Sequence, residues 1–302
     1  MTVFVPNRQA NSGGQAGEVL LCSDLDRTIV PNGAQPESAE ARSLLRTLAR
    51  RPEVTIAYVS GRHRELLAAA VAQYEIPVPD YAIGDVGTTI YRAGERGWEE
   101  LAGWREEIST DWQGRRSDEL IPLLAGISGL RLQEPEKQND CKLSFYTPTC
   151  LDRQVDGADP GREKLLATVR SRLEKAGIRS CLVWSVDEER DLGLLDVLPA
   201  RAGKLAAIRF LMERLGFSQA NTVFSGDSGN DLDVLSSDLN AVLVANAPEE
   251  VRREALARVR RAGREHSLYC AVGGFLGMNG NYAAGVLEGL AHYHPHITSW
   301  LS

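Results

Sequence analysis

Two aspartates separated by one residue follow the first apolar run of this chain. Residues 19–22 have the composition of a short buried strand, and Asp24 and Asp26 come directly after it. At the carboxyl end of a parallel strand, such side chains lie in the crevice where open α/β sheets bind ligands. Two carboxylates this close repel each other unless a cation compensates their charge. On this stretch alone, the alternative is an ordinary turn, because Asp and Thr are common turn residues.

Further polar side chains follow other apolar runs in the same way. Ser60 ends a second predicted strand, Asp227 and Asp231 follow a later one, and Lys204 lies in the first turn of a predicted helix. Carboxylate oxygens suit Mg²⁺, while a hydroxyl, a lysine and backbone N–H groups suit a phosphate. An aspartate can attack phosphorus to form an aspartyl phosphate. A second carboxylate can protonate the leaving oxygen and then activate water. Together these residues favour metal-assisted phosphoryl chemistry.

The elements that must position these residues alternate between strand and helix on both sides of a longer block. Strands are predicted at 19–22, 54–59, 81–83, 222–225 and 241–244, with helices at 37–50, 63–74, 203–215 and from 248 onward. This alternation indicates an α/β protein with a doubly wound parallel sheet, a Rossmann-like core. The block between contains predicted helices at 117–124 and 163–176 and four extended segments, which predicts an inserted, smaller α+β cap domain. The expected division is a flexible tail at 1–17, a core at 18–91 and 197–302, and a cap at 92–196.

Composition excludes several functional classes. The 302 residues carry a net charge of -7, and the pI near 5.4 argues against nucleic-acid binding. No apolar run approaches the roughly 20 residues that a membrane span needs, and the first residues lack the pattern of a secretory signal. The five cysteines form no C-x-x-C pair, which suits a reducing compartment. We therefore expect a cytoplasmic protein.

The chemistry-bearing residues together resemble the four motifs of the haloacid dehalogenase superfamily of phosphohydrolases. These motifs stand at residues 24–28, at Ser60 with the two residues after it, at Lys204, and at residues 226–231. An insertion between the second and third motifs resembles the branch with an α/β cap. Within that branch, the chain is similar to the sucrose-phosphate phosphatases at residues 85–88, 142–145, 196–199, 244–247 and 280–285.

The resemblance implies a role for each matched residue. Asp24 would be the nucleophile and a metal ligand, and Asp26 the acid/base that lends its backbone carbonyl to the metal. Ser60 and Lys204 would hold the phosphate. The implied metal set is Asp24, Asp26, Asp227 and Asp231, with Mg²⁺ as the cofactor. The predicted substrate-binding residues are Thr28, Gly61, Arg62, Gly87, Thr88, Lys142, Ser144 and Asn230.

Lys142 and Ser144 are the candidates for sugar recognition in the cap. Alternation along a strand places these two side chains on one face, with Leu143 and Phe145 on the other face toward the core of the cap. A lysine and a hydroxyl offer hydrogen-bond donors to sugar hydroxyls. The alternative is a solvent-exposed Lys and Ser on an ordinary sheet face.

The resemblance implies Mg²⁺-dependent hydrolysis of a sugar phosphate through an aspartyl phosphate. The expected substrate is sucrose 6-phosphate or a related disaccharide or glycoside phosphate, with a sugar-phosphate synthase as a candidate protein partner; the oligomeric state stays open. One alternative is a sugar phosphomutase or another phosphotransferase of the same superfamily. A second is a non-enzymatic phospho-acceptor switch, against which Asp26 and the insertion count. A third, a sugar-binding module with an inactive site, is disfavoured because every expected catalytic residue is present.

Overall fold

The computed structural model describes residues 17–94, 97–149, 160–187 and 190–301. The chain divides into two compact units, one of Met1–Leu101 with Lys204–Ser302 and one of Ala102–Gly203. These boundaries lie after those expected at 91/92 and 196/197. The shift arises because the hairpin after residue 88 pairs with the sheet of the first unit and because Leu192–Pro199 pairs entirely within the second. Apart from Gly17, the expected tail lies outside the described residues.

Strands and helices are numbered here in chain order. The strands are β1 (Val19–Ser23), β2 (Val54–Val59), β3 (Tyr81–Gly84), β4 (Thr89–Gly94), β5 (Gly97–Glu100), β6 (Arg131–Leu132), β7 (Leu143–Pro148), β8 (Ser180–Asp187), β9 (Leu192–Pro199), β10 (Thr222–Gly226), β11 (Asn240–Leu243) and β12 (Leu268–Cys270). The helices are α1 (Ala41–Ala49), α2 (Arg64–Gln73), α3 (Trp104–Ser109), α4 (Ser117–Leu124), α5 (Pro160–Lys175), α6 (Lys204–Leu215), α7 (Leu232–Leu235), α8 (Glu249–Ala262), α9 (Ala283–Tyr293) and α10 (Thr298–Leu301). Among the helices of the described residues, none has the length and apolar character needed to cross a lipid bilayer.

The first unit is built on one twisted sheet in the order β12-β11-β10-β1-β2-β3-β4-β5. The pairs from β12 to β3 are parallel, and β4 and β5 add an antiparallel edge. Every residue of β1 is buried, as expected for a central parallel strand covered on both faces. The prediction of a doubly wound α/β core is therefore confirmed. The strand order reverses beside β1, which makes the carboxyl ends of β1 and β10 the place where such folds bind ligands.

Helices α1 and α9 cover one face of this sheet. Their leucines, among them Leu45, Leu48 and Leu287, join Leu21 and Leu25 in the main apolar cluster. Helix α9 lies very close to β11. A Cβ at Gly289 would overlap the Val242 side chain, so glycine is required there. This close packing fixes the start of α9 and the turn before it relative to the carboxyl end of β11.

The second unit carries an antiparallel sheet in the order β6-β7-β9-β8. Helix α4 packs on β7 and helix α5 on β8, and their shared core includes Trp112, Leu143, Phe145 and Val197. Asp111 is fully buried there; it forms ion pairs with Arg179 and Arg201. The expected inserted α+β domain is thus confirmed as a fold, with its own core.

Candidate active site

Three buried aspartates meet where β1 and β10 end. Asp24 follows β1, Asp227 follows β10, and Asp231 closes the short 3-10 turn Gly229–Asp231. The parallel register of β1 and β10 brings the two strand ends together, and the Asp24 N–H donates to the Ser225 carbonyl at 2.9 Å. One carboxylate oxygen of each aspartate lies within 4.8 Å of the others. The structure therefore places the side chains of three of the four predicted metal-binding residues, Asp24, Asp227 and Asp231, in one cluster.

Lys204, the first residue of α6, supplies a cation to this cluster. Its Nζ lies 2.7 Å from Asp231 Oδ1 and 3.3 Å from Asp24 Oδ1, and it donates to Asn230 Oδ1 at 3.0 Å. Burial lowers the pKa of Lys204, but the Asp231 and Asp24 carboxylates outweigh burial and raise it overall. Lys204 is therefore a permanent cation at working pH. A single lysine leaves the three carboxylates with excess negative charge.

That excess is visible in the pKa values of the acids. Burial, together with the charges of Asp231 and Asp227, raises the pKa of Asp24 well above its usual range, and Lys204 only partly opposes this. Burial and the Asp231 carboxylate raise the pKa of Asp227 to about 7, although Thr28 and Arg27 act in the opposite direction. In both acids, burial and the neighbouring carboxylates together outweigh the nearby positive charges.

Asp231 has both of its carboxylate oxygens engaged by donors. Oδ1 accepts from Lys204, and Oδ2 accepts from the backbone N–H groups of Asp227 at 3.2 Å and Ser228 at 3.1 Å. A Cβ at Gly226 would lie 2.7 Å from Asp231 Cγ, so only glycine allows this close approach. Asp231 thereby holds Lys204 and the turn that carries Asp227.

Asp227 differs from Asp231 in having an uncommitted oxygen. Its Oδ1 accepts from Thr28 Oγ1 at 2.9 Å, whereas its buried Oδ2 has no hydrogen-bond partner within the described part of the chain. Oδ2 forms an ion pair with the Arg27 guanidinium, whose Nε is 3.4 Å away, without a hydrogen bond. Asp227 Oδ2, which accepts no hydrogen bond, and the neighbouring Asp24 carboxylate are together suitable ligands for a hard divalent cation such as Mg²⁺. Thr28, predicted to bind substrate, orients this acid.

The Asp26 carboxylate is not part of the three-acid cluster and has its own partners. Arg62 donates to Asp26 through Nε at 2.8 Å and Nη2 at 2.6 Å, and Asn32 Nδ2 donates to it at 2.8 Å. The side chain is 38% exposed, in contrast to the buried cluster. The structure thus pairs two predicted site residues, Asp26 and Arg62, whose contact was not predicted from the sequence.

The remaining predicted residues of the first unit lie in turns after β2 and β3. Ser60 is buried, and its Oγ accepts from the Arg62 N–H at 3.2 Å, with Gly61 between them. Gly87 and Thr88 belong to the turn after β3, against which α6 packs. Thr88 is buried and its Oγ1 donates to the Asp85 carbonyl at 3.0 Å.

Lys142 and Ser144 lie in the second unit, at the start of β7. Both are buried, so the alternative of an exposed Lys and Ser is wrong. Ser144 Oγ lies 2.5 Å from Asp196 Oδ1, directly across the β7–β9 pair. Leu143 and Phe145 face the core, as alternation predicts. Asp196 is an acid that sequence reasoning did not single out for this face.

Sequence reasoning also assigned no role to Arg27, Asn32 and Asn246. Arg27 lies beside Asp227, Asn32 bonds to Asp26, and Asn246 Nδ2 donates to the Arg27 carbonyl at 2.6 Å. Proximity in sequence to Asp26 was the available signal for the first two. The contact of Asn246 joins positions 219 residues apart, and sequence spacing does not predict it.

Comparison with known proteins agrees with this geometry. The family model described as "Sucrose-6F-phosphate phosphohydrolase" matches residues 17–294. A protein of Nitrosococcus oceani, named as a HAD-like hydrolase without a stated substrate, is 55% identical over 286 residues, which cover 94% of this chain and 74% of that protein. The mannosylfructose-phosphate phosphatase of Agrobacterium fabrum is 28% identical over 275 residues, covering 91% of this chain and 96% of that enzyme. The crystal structure of the sucrose-phosphatase from Synechocystis, in complex with sucrose and phosphate, is similar with a TM-score of 0.68 and 26% identity, covering 92% of this chain and 98% of that one.

Proposed function

Because the chain belongs to the sucrose-6F-phosphate phosphohydrolase family of haloacid dehalogenase-like enzymes and is therefore a phosphoric monoester hydrolase, we propose that it hydrolyses a disaccharide or glycoside phosphate, with sucrose 6-phosphate as the first candidate. The observation that carries the proposal is the buried cluster of Asp24, Asp227 and Asp231 around Lys204. The cluster concentrates nucleophilic oxygen, positive charge and ligand atoms at the ligand-binding edge of the sheet.

In the proposed reaction, a carboxylate oxygen of Asp24 attacks the phosphorus atom of the ester. The bond between phosphorus and the sugar oxygen breaks, and that oxygen takes a proton from Asp26. Water then attacks the aspartyl phosphate and gives a proton back to Asp26, which releases inorganic phosphate and regenerates Asp24. Since Asp26 accepts two hydrogen bonds from Arg62, this pair must open before Asp26 can donate a proton.

Mg²⁺ is the proposed cofactor, held by the carboxylates of Asp24 and Asp227 and the backbone carbonyl of Asp26, with Asp231 completing the acidic set. The uncommitted Oδ2 of Asp227 supports this assignment. Bound there, the ion would supply charge compensation between the anionic nucleophile and the anionic phosphate.

The groups that would hold the phosphate are donors at the edge of this cluster. Lys204 is a buried cation beside Asp24, and Asn230 contacts it. Ser60 offers a buried hydroxyl. The other proposed phosphate-side contacts are Thr28, Gly61, Arg62, Gly87 and Thr88. These groups recognise phosphate, which every ester of this class shares.

Sugar recognition is proposed for the second unit. Lys142, Ser144 and Asp196 form a polar set on its sheet, and Ser144 is fixed by its contact with Asp196. A site built from such directional bonds rejects ligands that lack the matching hydroxyls. A sugar-phosphate synthase stays the proposed protein partner, because its product is the substrate proposed here.

The proposal is tested by measuring phosphate release from a panel of esters. The panel contains sucrose 6-phosphate, mannosylfructose phosphate, glucose 6-phosphate and p-nitrophenyl phosphate, each with Mg²⁺ and with EDTA. The Asp24→Asn protein, purified identically, controls for contaminating phosphatases. We expect release that depends on Mg²⁺ and is fastest for a disaccharide phosphate. If the protein cleaves p-nitrophenyl phosphate but none of the sugar phosphates, the proposed substrate class is wrong. If it transfers the phosphoryl group to a sugar and releases no free phosphate, it is a phosphotransferase.

A further inference from the structure

One asparagine to which the proposed reaction assigns no role joins the turn after β1 to the turn before α9. Asn246 follows β11 and is buried. Its Nδ2 donates to the Arg27 carbonyl at 2.6 Å, and its Oδ1 accepts from the Tyr282 N–H at 2.7 Å. Both functional atoms of the amide are therefore committed to backbone groups of other segments.

The two residues that Asn246 contacts both have a positive φ. Arg27 has φ 57°, and Tyr282 has φ 51° with ψ -134°. Residues other than glycine adopt such conformations only where the surrounding structure enforces them, and such residues cluster at functional sites. Tyr282 is enforced by burial and by its hydroxyl, which donates to the Gln35 carbonyl at 3.1 Å. The Arg27 guanidinium lies 3.4 Å from Asp227, and its backbone is held at the N–H by Asn32 and at the carbonyl by Asn246.

The Arg27 backbone in turn controls the residues on either side of it. Its N–H donates to Asn32 Oδ1 at 2.8 Å, and Asn32 Nδ2 donates back to Asp26 Oδ1 at 2.8 Å. The following residue, Thr28, donates to Asp227. A change in the Arg27 backbone would therefore reach Asp26 through Asn32 and Asp227 through Thr28.

Asn246 itself is attached to a rigid frame. The Val244 N–H donates to the Gly226 carbonyl at 3.2 Å, and the Ala245 N–H donates to the Gly280 carbonyl at 3.0 Å. The same side chain thus transmits the position of β10, β11 and the start of α9 to the turn after β1. A single backbone N–H or carbonyl at this position could act only as a donor or only as an acceptor. The side-chain amide of Asn246 does both.

We propose that Asn246 is a positioning residue that sets the orientation of Asp26 by fixing the left-handed Arg27. The inference rests on the proposed function, because it assigns Asn246 to the proton-transfer step of that reaction. If Asn246 acts through Asp26, its loss matters where the leaving oxygen needs a proton and matters little where it does not.

The test compares Asn246→Asp with a matched variant, Asn240→Asp. Aspartate keeps the size of the side chain and the acceptor for Tyr282, but it places a carboxylate oxygen against the Arg27 carbonyl. Asn240 begins the same strand, and its Nδ2 also donates to a backbone carbonyl, that of Gln219 at 3.3 Å. Phenyl phosphate and p-nitrophenyl phosphate serve as substrates with poor and good leaving groups, at saturating Mg²⁺, so the result does not depend on sugar specificity.

We expect Asn246→Asp to lower kcat for phenyl phosphate about tenfold or more, with roughly a twofold loss for p-nitrophenyl phosphate and unchanged KM. In an Asp26→Asn background the same substitution should cost little further, because the two residues act in one step. Asn240→Asp should leave both rates unchanged. If Asn246→Asp protein does not fold by circular dichroism, Asn246→Ser, which retains a single hydroxyl, is measured in the same way.

Equal slowing of both esters, or a loss that adds fully to that of Asp26→Asn, would overturn the inference and leave Asn246 a purely structural residue. A wrong sugar substrate would leave both esters cleaved and this test intact. Failure of the proposed phosphatase chemistry looks different, because the unsubstituted protein would then release phosphate from neither ester. In that case the inference falls with it.

Discussion

Replacing Asp24 by asparagine should inactivate the protein and, in the absence of metal, stabilise it. The amide keeps the shape of the side chain but is a poor nucleophile and a weaker metal ligand. Asp24 is also one of three carboxylates crowded into a buried cluster. Removing its charge therefore abolishes chemistry and relieves repulsion in the same step.

The size of the effect follows from distances in the cluster. With an effective dielectric constant of about 20, two carboxylates within 4.8 Å repel by at least about 3.5 kcal/mol. Asp24 has two such neighbours, Asp227 and Asp231. At 3.3 Å, Lys204 attracts Asp24 by about 5 kcal/mol on the same scale. The two repulsions exceed the attraction by about 2 kcal/mol, to which the relief of burying a charge adds. If Asp24 instead takes up a proton, as its raised pKa allows, the native state carries a penalty of the same sign.

The assay is urea unfolding followed by circular dichroism at pH 8, in EDTA and in Mg²⁺, beside phosphate release from p-nitrophenyl phosphate. We expect the free energy of unfolding of Asp24→Asn protein in EDTA to rise by about 2 kcal/mol, and Mg²⁺ to stabilise it less than the unsubstituted protein. Asp233→Asn, at a side chain that is 83% exposed, is the control and should change stability by less than about 0.5 kcal/mol. A less stable Asp24→Asn protein in EDTA would refute the electrostatic reasoning, and retained turnover would refute Asp24 as the nucleophile.

Three further outcomes are expected. Asp26→Asn should slow phosphate release from a sugar phosphate much more than from p-nitrophenyl phosphate, because a good leaving group needs little protonation; equal slowing of both would argue against an acid role. Lys142→Ala should raise KM for sucrose 6-phosphate at least tenfold, about 1.4 kcal/mol, and leave p-nitrophenyl phosphate hydrolysis nearly unchanged, with the exposed Lys175→Ala as control; parallel losses on both substrates would assign Lys142 to phosphate binding. The pKa of Asp227 is raised from 3.8 to about 7. Its protonated carboxyl group contributes stability at low pH, and this contribution is lost as the pH rises through 7, so the free energy of unfolding of the metal-free protein should decrease as the pH rises from 3.8 to about 7. Mg²⁺ needs the ionised form and should therefore raise the melting temperature more at pH 8 than at pH 6, a difference that Asp227→Asn should abolish.

Much of the fold follows from hydrophobic patterning. The apolar run at Val54–Val59 and the amphipathic segment at Ser117–Leu124 have the bounds that their sequences predict. The hairpin strand Gly97–Glu100 was missed because three of its four residues are exposed and its sequence lacks alternation. The three-residue strand Leu268–Cys270 is too short to produce a period. Both omissions concern edge strands, which are stabilised by pairing with the neighbouring strand rather than by local preference.

The candidate site divides in the same way. Asp24, Asp227 and Lys204 could be predicted to meet, because a parallel sheet gathers the carboxyl ends of its strands and the helix starts that follow them. The pairing of Arg62 with Asp26 depends on side-chain rotamers, which sequence spacing does not encode. The contact of Asn246 with Arg27 depends on how the turn after β11 approaches the turn after β1, a tertiary relation without a local signal.

Asp231 offers a test in which an isosteric substitution should act with the opposite sign to Asp24→Asn. An asparagine at position 231 must turn its NH₂ group either toward Lys204 or toward the N–H groups of Asp227 and Ser228, and both sides present donors. At least one donor is then left unsatisfied, and each such donor costs about 1–3 kcal/mol. Lys204 also loses its shorter ion pair, 2.7 Å against 3.3 Å to Asp24. On the scale used for Asp24 this loss is about 6 kcal/mol and nearly balances the relief of about 7 kcal/mol from two carboxylate repulsions, so the unsatisfied donor decides the sign.

Asp231→Asn should therefore destabilise the protein in EDTA under the conditions in which Asp24→Asn stabilises it, as measured by the same urea titrations. A stabilised Asp231→Asn protein would mean that all three acids contribute to the repulsion alike. A destabilised Asp231→Asn protein would mean that the three acids have different roles. Asp231 then holds Lys204 and the turn, and Asp24 and Asp227 keep the oxygens that are available for a cation.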